Sequence, residues 1–234
     1  MSHATKPDRR VAAATPVAHR SRLCWIPGWL RSGWSRLPGH RPRPGVAGRP
    51  VALRDGSKVW IRQVQPADAP LLADGFARLS PQSRRMRFLA TKDQLSAAEL
   101  RYLTELDHHD HEALGAVSQA DGRGVGIARY VRDADDPQAA EIAVTVVDQW
   151  QGRGLGTELL TRLSGRARSA GIHRFTALVA EDNMVMAGLL RNMSGNLVGR
   201  SPGTVEYQIT LTPPGKNTTA PAAGPCPDRV RAPC

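Results

Sequence analysis

A chain of 234 residues with a formal charge of +11 would suit a nucleic-acid or membrane binder if that charge covered the folded part. It does not: residues 1–50 carry 10 Lys and Arg against one acid, residues 213–234 carry 3 against one, and residues 51–212 hold 19 of each sign. A folded domain is expected over 51–212, with no nucleic-acid binding through it, and the basic charge falls on two expected disordered tails, 1–50 and 213–234.

The N-terminal stretch is rich in Arg, Pro, Gly and Ala and has no sustained period. Trp25, Trp29 and Trp34 lie among its arginines, a composition open to two readings: contact with an anionic membrane surface or partner, or a plain unfolded or mis-started N-terminus. No secretory apolar run follows the first charges and nothing approaches the roughly 18 apolar residues of a spanning helix, so a cytoplasmic location is expected. Cys24, Cys226 and Cys234 all fall outside 51–212, which leaves the domain without a disulfide framework, a cysteine zinc site or a cysteine nucleophile.

Along the domain, residues 58–64 (Lys-Val-Trp-Ile-Arg-Gln-Val) are β-branched and aromatic and predict a strand. Pro66-Ala67-Asp68 then opens a helix with Leu72, Phe76 and Leu79 at helical spacing, and Ser80-Pro81 restarts a short one through Phe88. Ser96 and Glu99 form a capping box ahead of Leu100, Leu103 and Leu106. Residues 113–118, 126–132 and 139–150 read as three successive strands separated by turn residues, hence as an antiparallel meander. Leu160, Leu163, Ala167 and Ala170 keep helical spacing up to a stop at Gly171. Phe175, Ala177 and Val179 alternate as a strand, Met186, Leu189, Leu190 and Met193 return to helical spacing, and Val205, Tyr207, Ile209 and Leu211 alternate again. The expected order is β-α-α-α-β-β-β-α-β-α-β, an α/β (α+β) domain without internal repeats.

The segment that carries chemistry is 149–160, Gln-Trp-Gln-Gly-Arg-Gly-Leu-Gly-Thr-Glu-Leu-Leu, with glycines at 152, 154 and 156 leading into a helix. A Walker A loop would need Gly-Lys-Ser/Thr, whereas Gly156 precedes Thr157 and Glu158. A dinucleotide fingerprint would need glycine at 157 or 159, where Thr157 and Leu159 stand, and an acid some 20 residues on, where Ile172-His173-Arg174 stands. What remains is Gln151-x-x-Gly154-x-Gly156. Small residues there let backbone N–H groups face a pyrophosphate at the positive end of a helix; the plain alternative is a glycine-rich turn with no ligand.

This loop, taken with the element order, resembles the acyl-CoA pyrophosphate loop of the GCN5-related N-acetyltransferases. The resemblance covers residues 53–211. The runs Leu53-Arg54-Asp55-Gly56, Ile61-Arg62, 79–88 and 106–114 are similar to the acetyltransferase domain of bacterial Pat-type protein lysine acetyltransferases. No counterpart of the regulatory or ligase-like domains of some members is found, so a single domain is expected. The resemblance implies a mixed, mostly antiparallel central sheet flanked by helices, with two strands splayed around acetyl-CoA as co-substrate and no metal.

It also implies residue roles. Gln151, Gly152, Arg153, Gly154, Leu155, Gly156 and Thr157 would hold the phosphates, and Val146 and Val147 would pair their backbone with pantetheine. Asn183 would lie near pantetheine, although Asp182 or Asn183 also suits the N-cap of the next helix. Glu141 would be the general base that an amine needs, since deprotonating a lysine at neutral pH costs roughly 4 to 5 kcal/mol. Read without the resemblance, Val146 and Val147 are core valines, Arg153 lies in solvent and Glu141 is an exposed strand-end carboxylate. The implied reaction is acetyl transfer to a primary amine, a protein lysine first, by direct attack in a ternary complex. The alternatives are a small-molecule amine acceptor and a non-catalytic acyl-CoA-binding module.

Three further positions bear on that chemistry. His108, His109 and His111 with Asp110 lack the second cluster a metal site would need and read as a polar turn near the acceptor, with His111 a candidate proton relay. Many relatives carry a tyrosine as general acid where Leu189-Leu190 stands here, and Ser194-Gly195 replaces a Gly-aromatic ending. Water or Tyr207 are the substitutes, and the acid is unassigned.

Overall fold

The computed structural model describes residues 50–211; the two tails, apart from Pro50, lie outside the described residues together with Trp25, Trp29, Trp34 and the three cysteines. In chain order the elements are β1 (Val51–Ala52), β2 (Lys58–Gln63), a 3-10 turn (Pro66–Asp68), α1 (Ala69–Ala77), α2 (Pro81–Phe88), α3 (Ala97–Thr104), β3 (His111–Ser118), β4 (Gly124–Arg132) and β5 (Ala139–Val146). After a second 3-10 turn (Asp148–Trp150) come α4 (Leu155–Ser169), β6 (Arg174–Ala180), α5 (Met184–Asn192), β7 (Asn196–Ser201) and β8 (Thr204–Thr210). The strands form one sheet in the order β1-β2-β3-β4-β5-β6-β8-β7, antiparallel at every step except β5 to β6.

The expected order of elements is recovered, with differences that have local causes. The helix expected from Pro66 onward is a 3-10 turn followed by α1, because the Asp68 carboxylate closes the turn: it accepts the Gln65 N–H at 2.9 Å and both arms of the Arg62 guanidinium at 2.6 Å. The strand expected through Trp150 ends at Val146, where Asp148 turns the chain. β1 and β7 were not expected: β1 has two residues, and β7 is an edge strand whose residues are nearly all exposed, so no apolar alternation marks it. The capping box at α3 forms as read, with Ser96 and Glu99 each bonding the other's backbone N–H at 2.9 and 3.2 Å.

The main core lies on one face of the sheet. On α4, Leu155, Leu159, Leu160, Leu163 and Ala167 form a continuous apolar stripe against Ala140 and Ile142 of β5, Phe175 and Ala177 of β6, and Ile209 of β8. Each of those leucines is at most 1% exposed, and burial of one such side chain contributes about 2 kcal/mol. α1, α2 and α3 cover the other face. Among the described residues no helix is long and apolar enough to cross a membrane.

Candidate active site

β5 and β6 pair only through Ala139–Glu141 against Arg174–Thr176. Beyond that point β5 continues to Val146 and β6 to Ala180 without pairing to each other, so the sheet opens into a V. Glu141 is the last paired residue of β5 and stands at the vertex. The Val147 N–H donates to Val125 O at 3.0 Å and the Asp133 N–H to Ala139 O at 2.9 Å, so the odd-numbered residues of β5 spend their backbone groups on the β4 side. In an antiparallel ladder the even-numbered ones then face the opening: Ile142, Val144 and Val146. Val147, expected to offer backbone to a ligand, has its amide engaged within the sheet and its side chain 4% exposed; its place along the opening belongs to Val144.

Three tethers fix the loop at the mouth of the V. The Asp148 carboxylate accepts the Ser80 N–H at 2.9 Å and the hydroxyls of Ser80 and Ser83 at 2.8 and 2.7 Å, which pins the start of α2 beside the loop. Burial pushes the Asp148 carboxyl up, but those bonds outweigh it and leave the pKa below its usual value. Gln151 donates from Nε2 to Val146 O at 3.0 Å, so loop and strand end hold each other. Arg153 pairs with Asp55 at 2.8 Å, donates to Gln149 O at 2.5 Å and lies 4.8 Å over the Trp150 ring. Its side chain is a strut from the loop to the β1–β2 turn rather than a free cation in solvent, and its own carbonyl accepts the Arg54 N–H at 3.1 Å.

The loop ends at the N-terminus of α4, which no side chain caps. Gly154 precedes the helix at φ +87°, in the left-handed region, and a Cβ there would lie 3.2 Å from Arg54 Nε. A Cβ at Gly156 would lie 3.3 Å from Leu189 Cδ2 of α5. Both glycines keep backbone bare where the first N–H groups of α4 collect, and those groups with the helix dipole suit an anion. Across the V, just past β6, Asn183 caps α5 by accepting the Met186 N–H at 3.0 Å on Oδ1, which leaves its side-chain N–H groups outside the cap.

Glu141 shares the face of α1–α3. It pairs across with Val131 of β4, which pairs with His111 of β3, so the three form one row with side chains on the same face. His111 accepts an N–H of Arg129 on Nε2, and Tyr102 of α3 lies 5.0 Å from the His111 ring and 4.7 Å under the Arg129 guanidinium. Burial, then the Arg129 charge, then His108 lower the His111 pKa to about 3, so it is a neutral and weakly basic imidazole. That makes it a poor proton relay. His108 bonds the fully buried Glu112 at 2.8 Å and His109 bonds Asp110 at 2.7 Å, so the three histidines serve three different partners. Among the described residues no group of three or more metal-ligating side chains stands together.

On this same face an open pocket lies between the sheet and α1–α3. Leu72, Phe76, Phe88 and Leu103 line it from the helix side, and Ile127, Ala143 and Thr145 from the sheet. Ala143 and Thr145 follow Glu141 on its own side of β5. Tyr207 faces the other way, in the core beneath α4 and 6% exposed, as does Leu190 at 0%. No tyrosine therefore takes the acid's place on α5, and Tyr207 lies across the sheet from Glu141. Arg54, Asp55, Ser80, Ser83 and Asp148 were not singled out from the sequence as site residues, because their partners lie 65 or more positions away and no local pattern announces them.

The profile of the acetyltransferase (GNAT) family matches residues 81–194. Acetyltransferase PA5475 of Pseudomonas aeruginosa is 34% identical over 140 residues, which span 59% of this chain and 75% of that protein. This chain belongs to the acetyltransferase (GNAT) family. Acetyltransferase Pat of Mycolicibacterium smegmatis is 32% identical over 164 residues, 70% of this chain; the match spans about half, 49%, of that relative's length. Among solved structures, the GNAT domain of S. lividans PAT superposes with a TM-score of 0.65 at 29% identity, over 69% of this chain and 96% of that one. The GNAT fold expected from the sequence is the fold observed, a mixed, mostly antiparallel sheet between helices.

Proposed function

We propose that this chain transfers an acetyl group from acetyl-CoA to a primary amine, with a protein lysine as the acceptor, by direct attack in a ternary complex. The observation that carries the reading is the placement of Glu141 at the vertex of the β5–β6 V, with the uncapped N-terminus of α4 at its mouth. Between them about 17 Å of strand edge presents backbone groups. A strand edge of that length suits an extended pantetheine arm with its phosphates at Gln151 to Thr157 and its thioester near Glu141. Val144, the Val146 N–H and the Ile142 carbonyl would hold the arm, since Gln151 takes the Val146 carbonyl, with Asn183 supplying donors from the far side.

The chemistry asked of the protein is modest. The lysine ammonium gives one proton to Glu141, the neutral amine attacks the thioester carbonyl, the C–N bond forms, and as the C–S bond breaks the second proton shed by the nitrogen passes to solvent. The sulfur leaves as a thiolate, which an ordinary thiol pKa of about 8.5 makes tolerable without a side-chain acid. The acceptor comes from the α1–α3 face, where the cavity walls are mostly apolar and suit the methylene stem of a lysine. Similarity to a relative named Pat supports the protein-lysine choice over a small amine.

The test is calorimetric titration with acetyl-CoA, followed by transfer assays on a panel of free amines, lysine peptides and folded proteins. Binding together with transfer to peptide or protein lysine is the expected result. Transfer to small amines alone would move the acceptor, and binding without any transfer would make the chain an acyl-CoA-binding module.

A further inference from the structure

We infer that Arg54, on the turn between β1 and β2, is a ligand of the acetyl-CoA diphosphate and supplies a cation that, unlike Arg153, is not already paired with Asp55. The inference rests on the acetyl-CoA reading above and adds a residue to it.

Two arginines flank the loop, and a single carboxylate stands between them. Asp55 is held by Ser57 through its N–H at 3.1 Å and its hydroxyl at 2.6 Å, and it pairs with Arg153 at 2.8 Å. The Ser57 hydroxyl bond first, then its N–H and the Arg153 charge, outweigh burial and keep the Asp55 carboxyl below its usual pKa. Asp55 is therefore ionised and committed to Arg153, whose other N–H groups and ring contact also fasten it to the loop. Its charge is neutralised where it stands.

Arg54 differs on each count. Its side chain is exposed, and among the described residues it makes no ion pair. Its position is nevertheless fixed from both ends. The backbone N–H bonds Arg153 O at 3.1 Å, and the stem lies along Gly154, where a Cβ would come within 3.4 Å of Cγ and Cδ and 3.2 Å of Nε. The guanidinium thus sits beside the residue that precedes the first turn of α4. An anion on the first N–H groups of that helix would meet a planar fork of donors at its side, and a guanidinium matches two phosphate oxygens where an ammonium offers a point charge. The close approach also gives Gly154 a second reason to lack a side chain, since one would displace the Arg54 stem.

The experiment compares the full chain with Arg54→Gln and Arg54→Lys, titrated with acetyl-CoA, acetyl-dephospho-CoA and S-acetyl-pantetheine. Arg54→Gln is expected to raise the Kd of the first two about tenfold, the scale of one charge-assisted hydrogen bond, while the third, which has no phosphate, binds parent and variant alike. Arg54→Lys should recover part of the loss. Equal Kd values for acetyl-CoA in parent and Arg54→Gln would overturn the assignment while leaving the acetyl-CoA reading intact. Equal weakening of all three ligands would make Arg54 a structural residue, and a loss confined to acetyl-CoA would move the contact to the 3′-phosphate; either overturns the diphosphate assignment. A parent chain that binds none of the three would remove the acetyl-CoA reading and this inference together.

Discussion

The two faces of the sheet are built on different terms. Beneath α4 the residues are aliphatic and closed off: Leu155, Leu159, Leu160 and Leu163 are 0–1% exposed against Phe175 and Ile209. Beneath α1–α3 the matching positions are half-buried, an open pocket lies between helices and sheet, and charged groups intrude as Arg62–Asp68 and Arg129–His111. Close packing is concentrated on the first face, while the second keeps space and polarity on the side of the sheet that Glu141 shares. The V between β5 and β6 is where the two meet, because a strand pair that parts loses ladder bonds and can do so cheaply only if a packed helix holds one side.

If the open face carries the chemistry, the largest effect should come from one atom change at the vertex. Glu141→Gln keeps size and hydrogen bonding but cannot take a proton, so turnover should fall by roughly 10²- to 10⁴-fold with acetyl-CoA affinity retained. The loss should shrink as pH approaches the pKa of a lysine acceptor, about 10.4, where the amine arrives neutral. Rates measured from pH 7 to 10.5 decide it. A loss of constant size would make Glu141 a positioning residue for the acceptor, and the low basicity of His111 leaves that imidazole a weak substitute base.

The contrast between faces predicts a second difference, in stability. Leu160→Ala beneath α4 should cost about 3 kcal/mol, because a fully buried leucine leaves a void that rigid neighbours cannot fill. Ile127→Ala, at a partly buried position that borders existing empty space, should cost less, about 2 kcal/mol. Urea unfolding of both variants measures the difference, and equal costs would mean that the cavity face is as tightly packed as the core.

The same division governs what could be read from the sequence. The α4 side was legible because its signals are local: leucines at helical spacing, glycines at 152, 154 and 156, and a stop at Gly171 all lie within 20 residues. Alternation also marked β6 and β8, and turn residues set off β3 to β5, whereas β7, exposed along its length, gave no such pattern. The loop stood out by its glycine spacing, whereas the role expected of Glu141 came from resemblance alone, and the geometry gives two of the expected positions contacts that no pattern announced. Val147 turns inward and Arg153 becomes a strut to Asp55, 98 positions away. No periodicity encodes which of two arginines will meet the one carboxylate between them. That depends on a tertiary contact between the β1–β2 turn and the loop.

His111 offers a smaller effect with a definite sign. Its folded pKa, about 3, lies below the unfolded value near 6.5, so below pH 6.5 the unfolded chain binds a proton that the folded chain refuses. Parent stability should therefore fall as pH drops from 6.5 toward 3, by about 1.4 kcal/mol per pH unit from this group. In His111→Gln that component vanishes. The difference in slope between the two proteins, read from urea unfolding at pH 6.0, 5.5 and 5.0, lies above the range where carboxylates dominate. Parallel slopes would mean that His111 is protonated in the fold and that Arg129 yields to it.

The smallest expected effect lies at the end of α5. Ser194 has φ +60°, a left-handed conformation that costs a residue with a Cβ about 1 kcal/mol. Its N–H bonds Arg191 O and the Gly195 N–H bonds Leu190 O, both at 2.9 Å, so the helix ends in hydrogen bonds that require this turn. Ser194→Gly should relieve the conformation and stabilise the domain by about 0.5 kcal/mol after the greater freedom of the unfolded chain is counted. A glycine here would not by itself restore the Gly-aromatic ending that the resemblance implies. A Cβ at 195 would come 2.7 Å from Leu190 O, so an aromatic residue at that position requires the last turn of α5 to move. Ser194-Gly195 is in that sense a matched pair, ending a helix that keeps Leu190 fully buried and Leu189 against Gly156. Thermal unfolding of Ser194→Gly should give a slightly raised midpoint with unchanged acetyl-CoA affinity. A lowered midpoint would show that the serine side chain contributes more than its backbone conformation costs.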